Sequence, residues 1–300
     1  MQINQVEIED SFAEAFKMQG SRLIITAIND RWAMNAARAV TGFATSIIGC
    51  GCEAGIGGAL AADQTPDGRP GVLILIFTMS KKDMEKHLLL RLGQCVMTCP
   101  TSACYNDLQA EKKLKIGGKI RHFGDGFQIS KLIQKRRFWR VPVMDGEFVI
   151  EESFGVQAAV GGGNFLILAD SQLSALEAAE AAVEAIAEVP DVILPFPGGV
   201  VRSGSKIGSI YKGQGVSTNT AFCPTIRRQV DSALPEGVNA VMEIVIDGLD
   251  EASVREATRV GIEAACRSGV LRISAGNYGG KLGQYHFHLH KIMDRAIATP

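Results

Sequence analysis

The sequence predicts an α+β fold built from two duplicated ferredoxin-like (split βαβ) lobes. Two observations carry this. The chain of 300 residues aligns with itself, without a gap, at a shift of 142 positions. Each half also presents apolar runs and amphipathic stretches in the order β-α-β-β-α-β. The shift lays Gln5–Val40 on Glu147–Ala182 with 11 of 36 pairs identical. Ile8, Glu9, Ser11 and Phe12 fall on Ile150, Glu151, Ser153 and Phe154, and Ala33, Ala36, Ala37 and Ala39 fall on Ala175, Ala178, Ala179 and Ala181. Alanines can match through helix composition alone, whereas Ile-Glu-x-Ser-Phe does not recur that way. The lobes are therefore placed at 1–144 and 145–300, the second carrying an inserted Gly-rich loop.

In the first lobe a strand is expected at Leu23–Ala27 and a helix at Asp30–Thr41. A strand near Ser46–Ile48 and another at Val72–Phe77 follow, then a helix opened by Ser80 and running from Lys81 to about Val96. In the second lobe Asn164–Ala169 is a buried strand and Ser171–Glu188 a helix stopped by Pro190. Val192–Leu194 and Ala240–Ile246 are strands. Asp250 caps a helix whose Val254, Ala257, Gly261, Ile262 and Ala265 share a face, Gly269 ends it, and Val270–Ile273 closes the unit.

Composition narrows the function. Hydrophobic residues make up 46% and charged ones 21%, enough for a real core, and the net charge of −1 argues for neither nucleic acid nor membrane. No apolar run is long enough to span a bilayer and no signal peptide is visible, so a cytoplasmic protein is expected. Seven cysteines without paired spacing fit a reduced compartment.

The repeat is most informative where it breaks. Val72–Phe77 is apolar throughout, yet the matching Val241–Ile246 run places Glu243 where the first lobe has Ile74. Side chains alternate along a strand, so Glu243 shares a face with Val241 and Val245. A carboxyl desolvated on a central strand has a raised pKa, which suits a general acid/base; the bland reading is a wet strand mouth or an ion pair. The connection between the second and third strands is also long in the second lobe. It carries Pro195-Phe196-Pro197-Gly198-Gly199 and Ser203-Gly204-Ser205-Lys206. A similar segment, Ser274 to Lys281, follows the last strand and includes Asn277, Tyr278, Gly279 and Gly280. Gly-rich backbone exposes N–H groups to polar or anionic ligands, so Gly198, Gly199, Ser205, Lys206, Asn277, Tyr278, Gly279, Gly280 and Lys281 are candidate substrate-binding residues, against a bland reading of ordinary turns.

Other signals carry less. His286, His288 and His290 alternate as on one strand face, but no matching carboxylate completes a ligand set, and no metal is expected. Cys95, Cys99 and Cys104 lie close without zinc-type spacing and read as buried thiols. Lys112–Arg140 holds ten Lys or Arg against one acid, Asp125. It reads as a solvated connection or as a dock for an acidic partner. RNA binding through this plan lacks the expected Gly-aromatic pattern.

The whole chain resembles formylmethanofuran–tetrahydromethanopterin formyltransferases. The matching stretches are Ile8–Phe16, Leu92–Cys95, Thr98–Thr101, Gly162–Phe165, Pro195–Gly199, Glu243–Gly248 and Ala275–Leu282. The resemblance implies a two-lobed protomer, a homotetramer (dimer of dimers), no bound prosthetic group, and a glutamate at Glu243 near the transfer site. Tetrahydromethanopterin and methanofuran-type carriers would be the substrates. Archaeal relatives are often strongly acidic and this chain is near neutral, which points to the bacterial type, a subunit of a formyltransferase/hydrolase complex. Transfer between two amine nitrogens passes through a tetrahedral adduct, so the protein must align the partners, stabilise the oxyanion and move a proton. Glu243 is the candidate for the proton, and backbone N–H groups near Gly198-Gly199 or Gly279-Gly280 are candidate oxyanion donors. The competing readings are a non-catalytic scaffold subunit and a formate-releasing hydrolase.

Overall fold

A computed structural model describes residues 1–294. The first lobe runs β1 (Phe12–Thr26), α1 (Asp30–Thr41), β2 (Glu53–Leu60), β3 (Gly71–Thr78), α2 (Lys81–Arg91) and β4 (Ala103–Asn106). The second runs β8 (Phe154–Ala169), α3 (Gln172–Ile186), β9 (Val192–Ile193), β10 (Ala240–Gly248), α4 (Glu251–Ala265) and β11 (Val270–Ser274). Between them lie β5 (Ile129–Ile133), β6 (Arg136–Val143) and β7 (Gly146–Glu151), and β12 (Tyr285–His288) follows β11. The pairings order the sheets β2-β3-β1-β4 and β9-β10-β8-β11, every neighbour within a set antiparallel.

Local chemistry sets the helices. Asn29 and Ser171, equivalent under the repeat, cap α1 and α3 by accepting from Trp32 N (3.1 Å) and Ser174 N (3.2 Å). Ala33, Ala36 and Ala37 in α1, and Ala175, Ala178 and Ala179 in α3, are buried. The duplicated alanines are thus the faces packed on the sheets, where a small side chain permits close approach. Asp250 caps α4 by accepting from Ser253 N at 2.8 Å.

Two expectations fail at one spot each. Ser46–Ile48 is not a strand. Ser46 accepts from Ile48 N and opens a short helix, Ile47–Cys50, and the second strand begins at Glu53. The helix from Lys81 keeps α geometry only to Arg91 and then widens into a π turn over Leu92–Val96. The first strands also extend far upstream of their apolar cores, because β1 and β8 pair with each other there, Lys17 with Val160 and Met18 with Ala159. The 142-residue shift carries the first of these pairs onto the second, so a pseudo-twofold axis passes between them.

The matched Ile-Glu-x-Ser-Phe segments explain themselves in the sheet. Val6–Ile8 precedes the first lobe but pairs in parallel with β11 of the second, Ile8 opposite Ile273. β7 precedes the second lobe but pairs in parallel with β4 of the first, Ile150 opposite Cys104. Each lobe is completed by the strand leading into the other. A shared cluster of Met18, Phe77, Ala159, Ile193 and Leu249 fills the space between them. Asp247 is fully buried and accepts from Gly162 N at 2.9 Å; burial first, and the neighbouring Glu53 carboxyl next, push its own carboxyl well above its ordinary value.

The basic stretch is partly structural. Arg136 pairs with the buried Glu151, Arg137 with Glu152, and Arg140 with Glu147, while Arg121 lies over the Trp139 ring. Lys113 and Lys131 remain exposed.

The exchange makes a crossed prediction. Ile8→Ala deletes a buried side chain and costs on the order of 2–5 kcal/mol of stability. Hydrogen exchange of the Val270–Ser274 amides is expected to accelerate in Ile8→Ala, with Ala103–Asn106 unaffected, and Ile150→Ala to do the reverse; equal acceleration of both strands in either variant contradicts the exchange.

Candidate active site

Glu243 sits in β10, where it faces Leu166 of β8 across the ladder. In the first lobe Ile24, the repeat equivalent of Leu166, faces Leu73. Register therefore equates Glu243 with Leu73, one residue from the Ile74 that the gap-free sequence match chose. The difference matters, since a one-residue slip exchanges the two faces of a strand. Ile74 packs under the helices of its lobe, as do Met242, Ile244 and Ile246 in β10. Glu243, with Val241 and Val245, faces the other way.

That far face is covered by the long connection between β9 and β10. Val201 and Glu243 exchange backbone hydrogen bonds of 2.8 and 2.9 Å, pinning the connection over the strand. Phe222 and Leu234 of the same connection pack on Leu166, Leu168 and Val238. Between the connection, β10 and the segment after β11 lies a cavity of about 80 Å³ lined by Asn164, Arg202, Ser205, Glu243, Asn277 and Tyr278 among others. Desolvation pushes the Glu243 carboxyl up to about 7.

Tyr278 faces this acid. Burial raises its hydroxyl pKa first; the nearby Glu243 and Glu14 charges raise it further, and a hydrogen bond with the Ser205 side chain opposes them. It is a neutral phenol beside a carboxyl poised near neutrality. Asn164 fixes the start of the segment: its Oδ1 accepts from Gly276 N at 2.6 Å and its Nδ2 donates to Gly276 O at 3.2 Å.

The structure thus brings Glu243, Ser205, Asn277 and Tyr278 together and leaves the other candidates outside the cavity lining. Gly198 and Gly199 form a turn whose Gly199 N–H donates to Phe196 O at 2.9 Å, and a side chain at Gly199 would collide with Val183. Their geometry serves packing of the connection on α3. Lys206 donates to Thr220 Oγ1 at 2.8 Å and lies exposed, as does Lys281.

Gly279 and Gly280 have a different occupation. Both have φ of +71°, which turns successive N–H groups inward. The anion they meet is the protein's own. Glu14 of β1, 1% exposed, accepts at Oε2 from Tyr278 N (2.6 Å) and Gly280 N (3.0 Å), and at Oε1 from Leu282 N (2.5 Å) and Gly283 N (2.6 Å). Burial alone would raise this carboxyl; the four donors outweigh it and hold it below the usual carboxylate range. Gly279 N donates to Asn277 Oδ1 at 3.0 Å. These N–H groups are spent within the protein, which corrects their reading as oxyanion donors. Glu14 went unnoticed in the sequence, although the repeat flags it: its partner at the 142-residue shift is Val156.

Of the three histidines, His286 and His288 stand on β12, beside the Phe12 ring, while His290 lies in the helix that follows. Among the described residues no three His, Cys, Asp or Glu side chains converge as a metal cluster. All seven cysteines are free thiols; Cys104 is fully buried as expected, whereas Cys95 and Cys99 are only half-buried.

Two family models cover nearly the whole chain: one described as formylmethanofuran-tetrahydromethanopterin formyltransferase matches residues 1–143, and one described as its proximal lobe matches residues 146–292. The chain belongs to the formylmethanofuran–tetrahydromethanopterin formyltransferase family. A member from Methylobacillus flagellatus is 58% identical, covering 98% of this chain and all of its own. The solved structure of a Methylorubrum extorquens formyltransferase/hydrolase complex in complex with methylofuran contains a chain of 48% identity that superposes with a TM-score of 0.95, covering 98% of this chain and 99% of its own. The formyltransferase structure from Methanosarcina barkeri gives 51% and 0.93, covering 97% of this chain and 100% of its own. No described helix is long and apolar enough to cross a membrane.

For this family member the acid has a thermodynamic signature. Folding raises the Glu243 pKa from 4.5 to about 7. The unfolded chain releases the proton first as pH rises, so stability present below pH 4.5 is lost progressively up to about pH 7. Glu243→Gln lacks this loss. The melting temperature of the variant is expected to gain on the wild type by at least about 2 °C between pH 5 and pH 8; a constant difference across that range indicates a solvated carboxyl.

Proposed function

We infer that the protein transfers a formyl group between tetrahydromethanopterin-type and methanofuran-type carriers, with Glu243 as the proton-handling residue. One observation carries the residue assignment: a carboxyl without an ion-pair partner among the described residues, raised to about 7 by desolvation, opening on a cavity beside a neutral phenol. Family membership supports the reaction and its two carriers.

The chemistry follows from the groups at hand. An amine attacks the formamide carbon, the carbonyl oxygen gains charge, and the nitrogen that attacks must lose a proton while the nitrogen that leaves must gain one. A carboxyl near neutrality can accept and return that proton, a role worth roughly 10²–10⁴-fold in rate. Tyr278, kept neutral by burial and adjoined by Ser205, is placed to donate to the developing oxyanion. No covalent enzyme intermediate is needed, and no bound prosthetic group enters the scheme. A scaffold reading is not favoured, since a desolvated acid facing a cavity stabilises nothing in the fold. A hydrolase reading would ask for a water-activating centre beside Glu243, and no His, Cys or Asp lines the cavity except Cys223.

The wider setting rests on similar support. The identical strand order of the lobes, the exchanged strands and the pseudo-twofold axis support duplication of one ferredoxin-like unit, with lobes at 1–144 and 145–300. The exposed Ile129, Leu132 and Ile133 of β5 support burial against another chain, either in a homotetramer or in a formyltransferase/hydrolase complex like that of the Methylorubrum extorquens relative. A cytoplasmic location fits the absence of cysteine pairing.

Formyl exchange between formyl-tetrahydromethanopterin and a furfurylamine acceptor tests the reading. Glu243→Gln is expected to remain folded and lose transfer by about a hundredfold or more, and the inflection near pH 7 in the wild-type kcat/KM profile is expected to vanish from its residual rate. Near-normal turnover in the variant removes Glu243 from the mechanism; no exchange by the wild type returns the scaffold reading.

A further inference from the structure

The Glu14 carboxylate is buried on β1, a strand of the first lobe, and all four of its hydrogen bonds go to one short segment of the second lobe. Tyr278, whose N–H is one of the four donors, is also the residue whose hydroxyl meets Ser205 beside Glu243. Backbone on either side is tied as well: Gly276 to Asn164 and to Glu14 N, which donates to Gly276 O at 3.2 Å. The Tyr278 ring packs against Phe16, 6.2 Å between centroids. Among the described residues nothing else in this segment, which carries left-handed glycines at 279 and 280 and exposed Lys281 and Leu282, has a hydrophobic anchor that would hold it down.

We propose that Glu14 is a positioning residue for formyl transfer: by encircling its carboxylate, the Tyr278–Gly283 backbone is locked so that the Tyr278 hydroxyl stands at the cavity opposite Glu243. The inference rests on the reading of that cavity as the transfer site. The two-lobed construction acquires a purpose from it, because the lobe without the acid supplies the anion that shapes the site in the other. Position 156 of the second lobe, the equivalent of 14, is Val, and Leu73 of the first lobe, the equivalent of Glu243, is apolar. Each half carries one of the two carboxylates and neither carries both.

The geometry dictates the test. Each carboxylate oxygen accepts two N–H groups, so Glu14→Gln keeps one pair and sets an amide NH2 against the other. The segment is expected to loosen while the cavity and Glu243 stay in place. Transfer by purified Glu14→Gln should show kcat lowered about tenfold or more, with KM for both carriers within about twofold, since misplacing one group disturbs the reacting geometry more than ground-state binding. Tyr278→Phe should lose a comparable factor, and the double variant should be no slower than the slower single, because Glu14 acts through Tyr278. Gly280→Ala, strained at its positive φ without touching the buried carboxylate, should show the same lowered kcat at constant KM and covers the case in which Glu14→Gln does not fold. Wild-type kcat in Glu14→Gln or in Gly280→Ala overturns the proposal. So does a loss explained by a smaller folded fraction alone, or losses that multiply in the double variant. Glu243→Gln, assayed alongside, separates the two levels: if it turns over normally the site reading itself fails, and if it is inactive while Glu14→Gln is normal only the present inference fails.

Discussion

The antiparallel contact between the upstream halves of β1 and β8 is the constraint on which the molecule depends. Five residue pairs, Phe16–Gly161 through Gly20–Gln157, join two sheets into one continuous surface. The repeat shift maps four of these five pairs onto one another, so the lobes meet through equivalent residues. Edge strands are otherwise a liability. Here the strand leading into each lobe covers the last strand of the other, and neither lobe can shed its partner without exposing a row of backbone groups. The buried Ile8 and Ile150, and the Glu151–Arg136 pair at the second of these joints, follow from that arrangement.

A frame fixed this way lets the two lobes diverge on their far faces. The helix-bearing faces are nearly the same in both, alanine stripes on apolar sheets. On the opposite face the first lobe packs Ile24, Tyr105 and Leu73 together, flanked by the Arg22–Asp107 and Arg69–Asp67 ion pairs. The second lobe lays a connection of more than 40 residues, from Leu194 to Asn239, over the corresponding strands. Beneath it a carboxyl is shielded from water without being given a cation. That combination, desolvation without an ion-pair partner among the described residues, distinguishes the half-buried Glu243 from the buried Glu151, which is paired with Arg136, and from Glu14, which is satisfied by backbone donors. These three carboxyls thus have three environments: one poised to exchange a proton, one held in an ion pair and one held as an anion.

The sequence by itself determined a good deal. Periodicity and capping residues placed α1 at its observed bounds and gave the cores of the long strands, because an alanine stripe after Asn29 or Ser171 has few other ways to be buried. The repeat announced two lobes and singled out Glu243 as the residue out of character, and the matching stretches from Ile8 to Leu282 indicated the family. Local chemistry decided these matters, and local chemistry is written in consecutive residues.

What the tertiary structure alone decided depends on groups distant in the chain. Register showed that Glu243 answers to Leu73 and therefore faces away from the helices; a gap-free match cannot detect a one-residue slip that moves a side chain through the sheet. The Ser46–Ile48 run, read as a strand, is a helical turn, because the carboxylate of Glu53 accepts from Ile47 N at 2.9 Å. The glycines at 279 and 280 were legible as a cradle for an anion, but not which anion. It is Glu14, some 260 residues away, brought there by the pairing of Tyr285–His288 with β1. A backbone cradle is a local property, whereas its occupant is chosen by whichever strand the fold lays beside it.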